Sequence, residues 1–525
     1  MPLPSFTNTP LASRAWRVSN LYTIVNADGK LVEFSPNDAQ RAFYNRLWYC
    51  NHVLKARKLG FSTLIEMLNL DDLLFTGNLT AGIVDKGMDD AVKKLKMVKT
   101  AYDNLDNGDL HPETWKIGKQ IKRAIPIIRS STEELEFANK SIFYCGVSLR
   151  GGTTNRLHVS ELGATAITAP KKAQEIVNGA FNAFTPGNRC DIESTHEGGR
   201  VGIHYNLLRK CMAHEDTQLT EVDFRFHFFA WWQDPRYVLH QDFPIRPEIL
   251  EYFFRLTKET GKVFTHGQML WYDRKQAVQG HGMKKEFPST PGEAFEAIAD
   301  NAIYGRQMAD LRAAGRICDF GLHAQLPIFT FSDIGLSDYL STWLIQPAGL
   351  YFLVLDWMEH QGLPGSKLND KMLLWERKWD KPIAAHFMPH DADRRSPNDG
   401  ESYRTALEKG GMKNIVIVPR TPDVWLGIGY TRDVLPHCWF HKTNCDTPRV
   451  HNGEEHPSGV ACLEGYQLDV SATGNTLREL PKHDAFSHSS DGFRTFGEAW
   501  RRGMVNAATE SGSKPRAIGG PQGRR

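Results

Sequence analysis

No stretch of this 525-residue sequence approaches the ~20 consecutive apolar residues that cross a bilayer; the longer apolar runs, such as Leu350–Leu355, stop far short. Met1–Val18 has no apolar core of the kind a signal peptide carries. Cysteine is scarce, with eight residues at 50, 145, 190, 211, 318, 438, 445 and 462, and these lack the dense, even spacing of a disulfide scaffold. Net charge is nearly absent too: 63 Lys+Arg against 61 Asp+Glu leave +2. These absences argue against a membrane span, a disulfide-stapled secreted domain and a globally cationic nucleic-acid binder. The expectation is a soluble intracellular protein whose nucleic-acid contacts, if any, come from local basic patches. With 41% apolar and 24% charged residues, the chain reads as two or three globular domains of roughly 100–200 residues each.

Two groups of polar residues stand out. Asn51–Ala56 reads as a short strand, and Ser62–Leu70 as a helix with Leu64, Ile65 and Leu68 on one face. Between them run Lys55, Ala56, Arg57, Lys58, Leu59, Gly60, Phe61, Ser62 and Thr63. A loop between strand and helix offers backbone N–H groups and the positive helix end to phosphate oxygens, and Ser62 supplies the hydroxyl expected to hold Mg²⁺. The loop departs from G-x-x-x-x-G-K-[ST]: Phe61 stands where lysine is expected and Lys55 where the first glycine is, so Lys55 or Lys58 is expected to reach the β and γ phosphates of ATP. Downstream, Asn155–Glu161 reads as a buried strand ending in Glu161, the candidate base that orients the attacking water. Ser160 replaces the metal-associated aspartate before it, which would leave Mg²⁺ contacts from this strand to a hydroxyl or to water. A third strand, Cys190–Glu193, runs into Ser194 and Thr195, small hydroxyls suited to sensing a γ phosphate at a sheet's carboxyl edge. Gln40 is a candidate for reading adenine, and Arg150, beside Gly151 and Gly152, for an arginine finger.

The second group is acidic. Leu326–Asp333, Tyr339–Gln346 and Leu350–Trp357 read as three strands, followed by a helix over Asn369–Trp379 and a fourth strand, Ile383–Met388. That order builds an RNase H-like sheet in which the first and fourth strands lie side by side, bringing Asp333 and Asp391 to one edge. Asp491, after Ser487-His488-Ser489-Ser490 and at the start of a helix over Gly492–Val505, is expected to fold back and complete a two-metal site for Mg²⁺ or Mn²⁺. Asp338, Asp356, Glu359 and Asp393 compete, and Asp393 is able to exchange roles with Asp391. Glu293–Ile317 reads as a connecting helix. His437, Cys438, His441 and Cys445 crowd together, but without a Cys-x-x-Cys pair they read as packing residues rather than a zinc site.

The residues resemble the large terminase subunit of tailed bacteriophages. The likeness rests on Gln40 near Phe43, the Lys55–Thr63 loop, Leu157–Glu161, Glu193–Thr195, Phe228–Trp232, Glu286–Phe295, Ser332–Gly335, Pro389–Asp391 and Ser487–Asp491. It implies an α/β protein: an N-terminal extension (1–35), a P-loop ATPase domain of the ASCE type (36–300), a linker (301–325), an RNase H-like nuclease domain (326–505) and a flexible basic tail (506–525). It implies ATP-driven translocation of double-stranded DNA into a procapsid and metal-dependent cutting of concatemeric DNA in the cytoplasm of the host cell. Its partners would be the portal protein, a small terminase subunit and further copies in a ring, with a monomer in isolation. Contacts to DNA are expected to be mainly to phosphates, with Arg494, Arg501, Arg502 and Lys442 as contributors near the nuclease. Two rival readings are a helicase-nuclease of repair or defence, for which no strand-separating motif is found, and a catalytically inactive packaging adaptor, motivated by Phe61 and Ser160.

Overall fold

In the computed structural model, the described residues are 9–148, 154–183, 185–200, 202–214, 216–280, 282–296, 302–334, 339–363, 365–394, 401–451, 454–470 and 477–505. The chain divides into two compact units, Met1–Ala297 and Ile298–Arg525.

The first unit begins with a hairpin of β1 (Thr23–Val25) and β2 (Leu31–Glu33). Its main sheet has eight strands: β3 (Cys50–Lys55), β4 (Thr80–Val84), β5 (Ile127–Ser130), β6 (Glu134–Phe137), β7 (Ile142–Gly146), β8 (Arg156–Ser160), β9 (Arg189–Ser194) and β10 (Phe224–Phe229). They lie in the order β10-β3-β9-β8-β4-β7-β6-β5. The run from β10 to β7 is parallel, and β6 and β5 add an antiparallel margin. β3 and β9 are buried along their whole length, as expected of central strands covered on both faces. Leaving β7 aside and counting β3, β4, β8, β9 and β10 as first to fifth, the parallel strands run 5-1-4-3-2, the order of the expected P-loop ATPase sheet, with β7 added beyond β4. It sets the carboxyl ends of β3, β9 and β8 next to one another.

One face of this sheet carries a chain of neutral imidazoles. His196 Nε2 donates to the Gly199 carbonyl, so its Nδ1 accepts from His204 Nδ1 at 3.1 Å. His204 Nε2 then accepts from His52 Nε2 at 3.1 Å, and Cys211 Sγ lies 3.9 Å from His52 Nδ1. Burial is the main reason that His52 and His227 are pushed down to about 3, His196 to about 4, and His204 well below its usual range. Unfolded, each would protonate below about 6.5. The stability tied to keeping these rings neutral is therefore fully present above about pH 6.5 and is lost as pH falls toward the folded values. The slope is up to about 1.4 kcal/mol per pH unit for each ring. His158 has the opposite sign. Burial opposes its charge, but Glu66 and Glu193 lift it to about 9, so its contribution is present below about 6.5 and fades as pH rises through 9. Four rings outweigh one, and calorimetry should show the melting temperature of the first unit falling between pH 6.5 and 5. A flat profile would contradict the neutral chain.

The second unit holds β11 (Ile317–Cys318), β12 (Ile328–Asp333), β13 (Tyr339–Ala348), β14 (Tyr351–Gln361), β15 (Ile383–Pro389), β16 (Ile415–Val418) and β17 (Cys438–His441) in the order β11-β17-β14-β13-β12-β15-β16. β12, β13 and β14 form an antiparallel meander, and the Gly365–Trp379 helix returns the chain to β15, which lies parallel to β12. This is the RNase H-like order. The Ser487–Arg501 helix covers one face, with Phe493 and Phe496 among Phe331, Trp343, Phe352 and Phe440.

The connecting helix expected over Glu293–Ile317 is not continuous. Helical residues are Pro291–Ala294 and Gly305–Ala313, and Ile317–Cys318 is a strand. Thr290 caps the first piece and Gly315, at φ +67°, ends the second with a left-handed turn that other residues resist. The His437–Cys445 group is packing: Cys438 and Cys445 are buried with their thiols against the Val434 and Val354 carbonyls, and His441 faces Asp319.

Candidate active sites

In the first unit the loop after β3 is held from below and from the side. Gly60 sits at φ +78°, and a Cβ there would come within 2.8 Å of the Gln40 amide, which donates to the Gly60 carbonyl at 2.6 Å. The other end of that amide accepts from Asn37 N at 2.8 Å, completing a capping box. Gln40 therefore braces the loop in this structure, its amide engaged at both ends. Phe61 explains the displaced lysine: it is buried against Phe43 and Phe229, with ring centroids at 5.7 and 4.5 Å, so this position belongs to the core. Arg57 is ion-paired with Glu286, and its N–H donates to the Glu286 carbonyl at 2.9 Å. Lys58 is exposed, at φ +60°. Thr63 lies in the first turn of the Phe61–Phe75 helix.

Lys55 is buried and points into the site, 3.0 Å from Glu193 and 3.9 Å from Glu161. Burial opposes its charge, but Glu193 and then Glu161 hold its pKa above the usual value. Glu193, on β9 between β3 and β8, is fully buried; its Oε1 accepts from Ser62 Oγ at 2.6 Å and from Ser160 Oγ at 2.8 Å. Burial works against its ionisation, yet Lys55 and His158 hold it well below the carboxylate range. Glu161 caps the following helix at φ +55°, a backbone strain of the kind found at functional positions, with its N–H bonded to the Glu193 carbonyl at 2.9 Å. Burial raises its pKa, against the pull of Lys55. Ser194 is committed to local packing, accepting from Gly163 N at 2.9 Å. Thr195 is buried with an Oγ1 that has no hydrogen-bond partner among the described residues, as a hydroxyl awaiting a ligand oxygen would be. Arg150 lies outside the described residues.

In the second unit β12 and β15 end at the same edge, with Phe331 opposite Phe387. Asp333 is pushed up to about 7, first by burial and then by the charge of Asp491; Arg494 pulls it down and Asp391 adds to the rise. Asp491 is held by Arg494 at 2.8 Å and the Tyr466 hydroxyl at 3.2 Å. Asp391 is exposed, beside His390 at 3.4 Å, while Asp393 faces Arg404 at 3.5 Å. Among the described residues no group of three or more His, Cys, Asp or Glu forms a metal cage. What stands is a pair of carboxylates that feel each other's charge, Asp333 and Asp491, with the exposed Asp391 acting more weakly on Asp333. Asp356 is buried and already paired with Lys378 and Arg449, a structural role. Asp338 lies outside the described residues. Arg501 and Arg502 are engaged with Tyr430 and with Glu498 and Thr421, respectively.

The chain is similar to phage large terminases. Solved structures that resemble it include the large terminase of a thermophilic bacteriophage, 11% identical over 86% of this chain and 94% of that one, at a TM-score of 0.28. The ATPase domain of the Thermus phage P74-26 large terminase is 13% identical over 49% of this chain and 94% of that one, at 0.30. The Mn-bound nuclease domain of the bacteriophage SPP1 large terminase is 14% identical over 34% and 86%, at 0.25. No family model and no curated protein sequence matches the chain.

Four residues have a place in the structure that the sequence reading did not give them. Glu193 and His158 enter the first site only through the lateral strand order. Glu286, the start of a segment without evident chemistry, is the counter-ion of loop residue Arg57. Glu359, one of the competing carboxylates in the sequence, is the fourth: Asp333 stands opposite Ser341 and Ser341 opposite Glu359, so all three share a sheet face. Burial pushes Glu359 up to about 7, and its Oε1 has no hydrogen-bond partner among the described residues.

Proposed function

We propose that the chain is a phage large terminase subunit, with residues 36–300 hydrolysing ATP to move double-stranded DNA into a procapsid and residues 326–505 cutting concatemeric DNA. Residues 1–35 are the extension, 301–325 the linker and 506–525 the tail. The observation that carries the reading is the convergence of Lys55, Ser62 and Glu161 at one sheet edge in a chain that also sets Asp333 against Asp491 at the edge of a second sheet. In the first site Lys55 has only to leave its carboxylate partners to meet the β and γ phosphates. The Ser62 hydroxyl fits a Mg²⁺ that accompanies the nucleotide, and Glu161 accepts a proton from, and aligns, the attacking water.

In the second site a buried carboxylate raised by a like charge is a donor set that suits a hard divalent cation. Mg²⁺ or Mn²⁺ held by Asp333, Asp491 and Asp391 would supply charge neutralisation and an activated water. Arg494 orients Asp491, and Tyr466 holds it from the other side. A motor must ignore base identity, so the DNA contacts are to phosphate, and the expected partners are the portal protein, a small terminase subunit and further copies in a ring, in the host cytoplasm. No helix among the described residues is long and apolar enough to cross a membrane. Supercoiled plasmid incubated with the protein and Mg²⁺ or Mn²⁺ should be cut, and Asp391→Asn should lose the cutting. Absence of cleavage with either metal would favour the inactive adaptor.

A further inference from the structure

Ser160 occupies the position where a carboxylate is expected to face Ser62 across the P-loop, so strand β8 offers no acid of its own there. The donors that such an acid would receive are nevertheless gathered at one carboxylate. Glu193 Oε1 accepts from Ser62 Oγ at 2.6 Å and from Ser160 Oγ at 2.8 Å, and His158 Nε2 lies 3.4 Å away. Its other oxygen is 3.0 Å from Lys55 Nζ. His158 is fixed from behind by Glu66 at 2.6 Å. The register explains the reach: Ser160 stands directly opposite Glu193, and Val53 of β3 opposite it on the other side. A side chain one methylene longer than aspartate, projecting from the strand between the loop strand and the acid strand, arrives where the missing carboxylate would be.

We propose that Glu193 takes over the task of the absent β8 carboxylate, positioning Ser62 and, through it, the Mg²⁺ of bound nucleotide, while Ser160 has become its hydrogen-bond donor. The inference rests on the ATPase reading. It differs from a plain structural role, in which Glu193 would serve only as the counter-ion of Lys55. A counter-ion needs no serine hydroxyls on the opposite oxygen, and two are present. Glu193 is thus a positioning residue, distinct from Glu161.

Fluorescent ADP titrated into the full-length protein, once with Mg²⁺ and once with EDTA, separates the possibilities without reference to turnover. The wild type should bind more tightly with Mg²⁺. Glu193→Gln should lose roughly 10–100-fold of that gain, the usual effect of removing a group that orients a metal ligand, while its affinity in EDTA, with Lys55 released from one carboxylate, should not fall below that of the wild type. Glu193→Asp, which keeps a charge for Lys55 but withdraws from Ser62, should behave the same way and guards against a folding defect of the neutral variant. Ser160→Asp in the Glu193→Gln background should restore most of the Mg²⁺ gain. A full Mg²⁺ gain in both single variants, or an equal loss of affinity in Mg²⁺ and EDTA, would overturn the inference and leave the ATPase reading intact. Failure of the wild type to bind ADP under either condition would remove both.

Discussion

Glu161→Gln should lower ATP turnover roughly 10²–10⁴-fold, the usual contribution of a positioned acid or base, while leaving nucleotide binding in place. The expectation follows from how the residue is held. Its φ of +55° is costly for a non-glycine residue, and its N–H is tied to the neighbouring strand, so the carboxylate is presented by the backbone. Burial raises its pKa, against the pull of the nearby Lys55. Glutamine preserves the shape but cannot accept the proton. Steady-state phosphate release measured beside fluorescent-nucleotide binding tests this directly; unchanged turnover would deny Glu161 the role of base.

The second large effect is a paired gain and loss at Asp333. Its folded pKa, about 7, lies well above the unfolded aspartate value near 3.9. The native state therefore holds a proton that the unfolded chain releases. The resulting cost is absent below about pH 4, grows as pH rises and is complete above about 7. Three pKa units correspond to an upper bound of about 4 kcal/mol, which solvent screening reduces to the order of 2. Asp333→Asn removes the cost, so at pH 8 in EDTA the variant should melt higher than the wild type and yet cut no plasmid. Mg²⁺ or Mn²⁺ should raise the melting temperature of the wild type and leave the variant unmoved. A variant that melts lower and still cleaves would deny Asp333 its place in the site.

The second sheet was legible because its chemistry follows chain order: three strands, a helix and a fourth strand dictate that β12 and β15 are neighbours, and the acids sit at their ends. The first site was legible only along the chain. The loop, Glu161 and Ser194-Thr195 could be marked in sequence. That Glu193 would contact both Ser62 and Ser160 depends on β9, the last of the three strands in sequence, lying between β3 and β8. Polar residues with several plausible uses were the hardest to place. Gln40 had the right neighbourhood, but the Gly60 carbonyl and the Asn37 N–H claim its amide. Asp356 ends no strand in the structure and is neutralised by two cations. The long helix expected after Glu293 followed apolar spacing alone and overlooked Gly305 and Gly315.

The segment from Glu286 to Phe295 closes the first unit in a way that bears on where the polypeptide can be divided. Glu286 holds Arg57 of the loop, the Pro288 carbonyl accepts from Trp231 N at 3.3 Å, and Ser289 receives the Trp231 indole at 2.9 Å, with Glu293 capping Ser289 N at 2.8 Å. The loop that opens the sheet at residue 55 is thus fastened by residues more than two hundred positions later. A truncation ending ahead of Glu286 would strip the loop of its clasp and uncover a buried tryptophan, so the shortest self-sufficient piece of this unit must extend through Phe295.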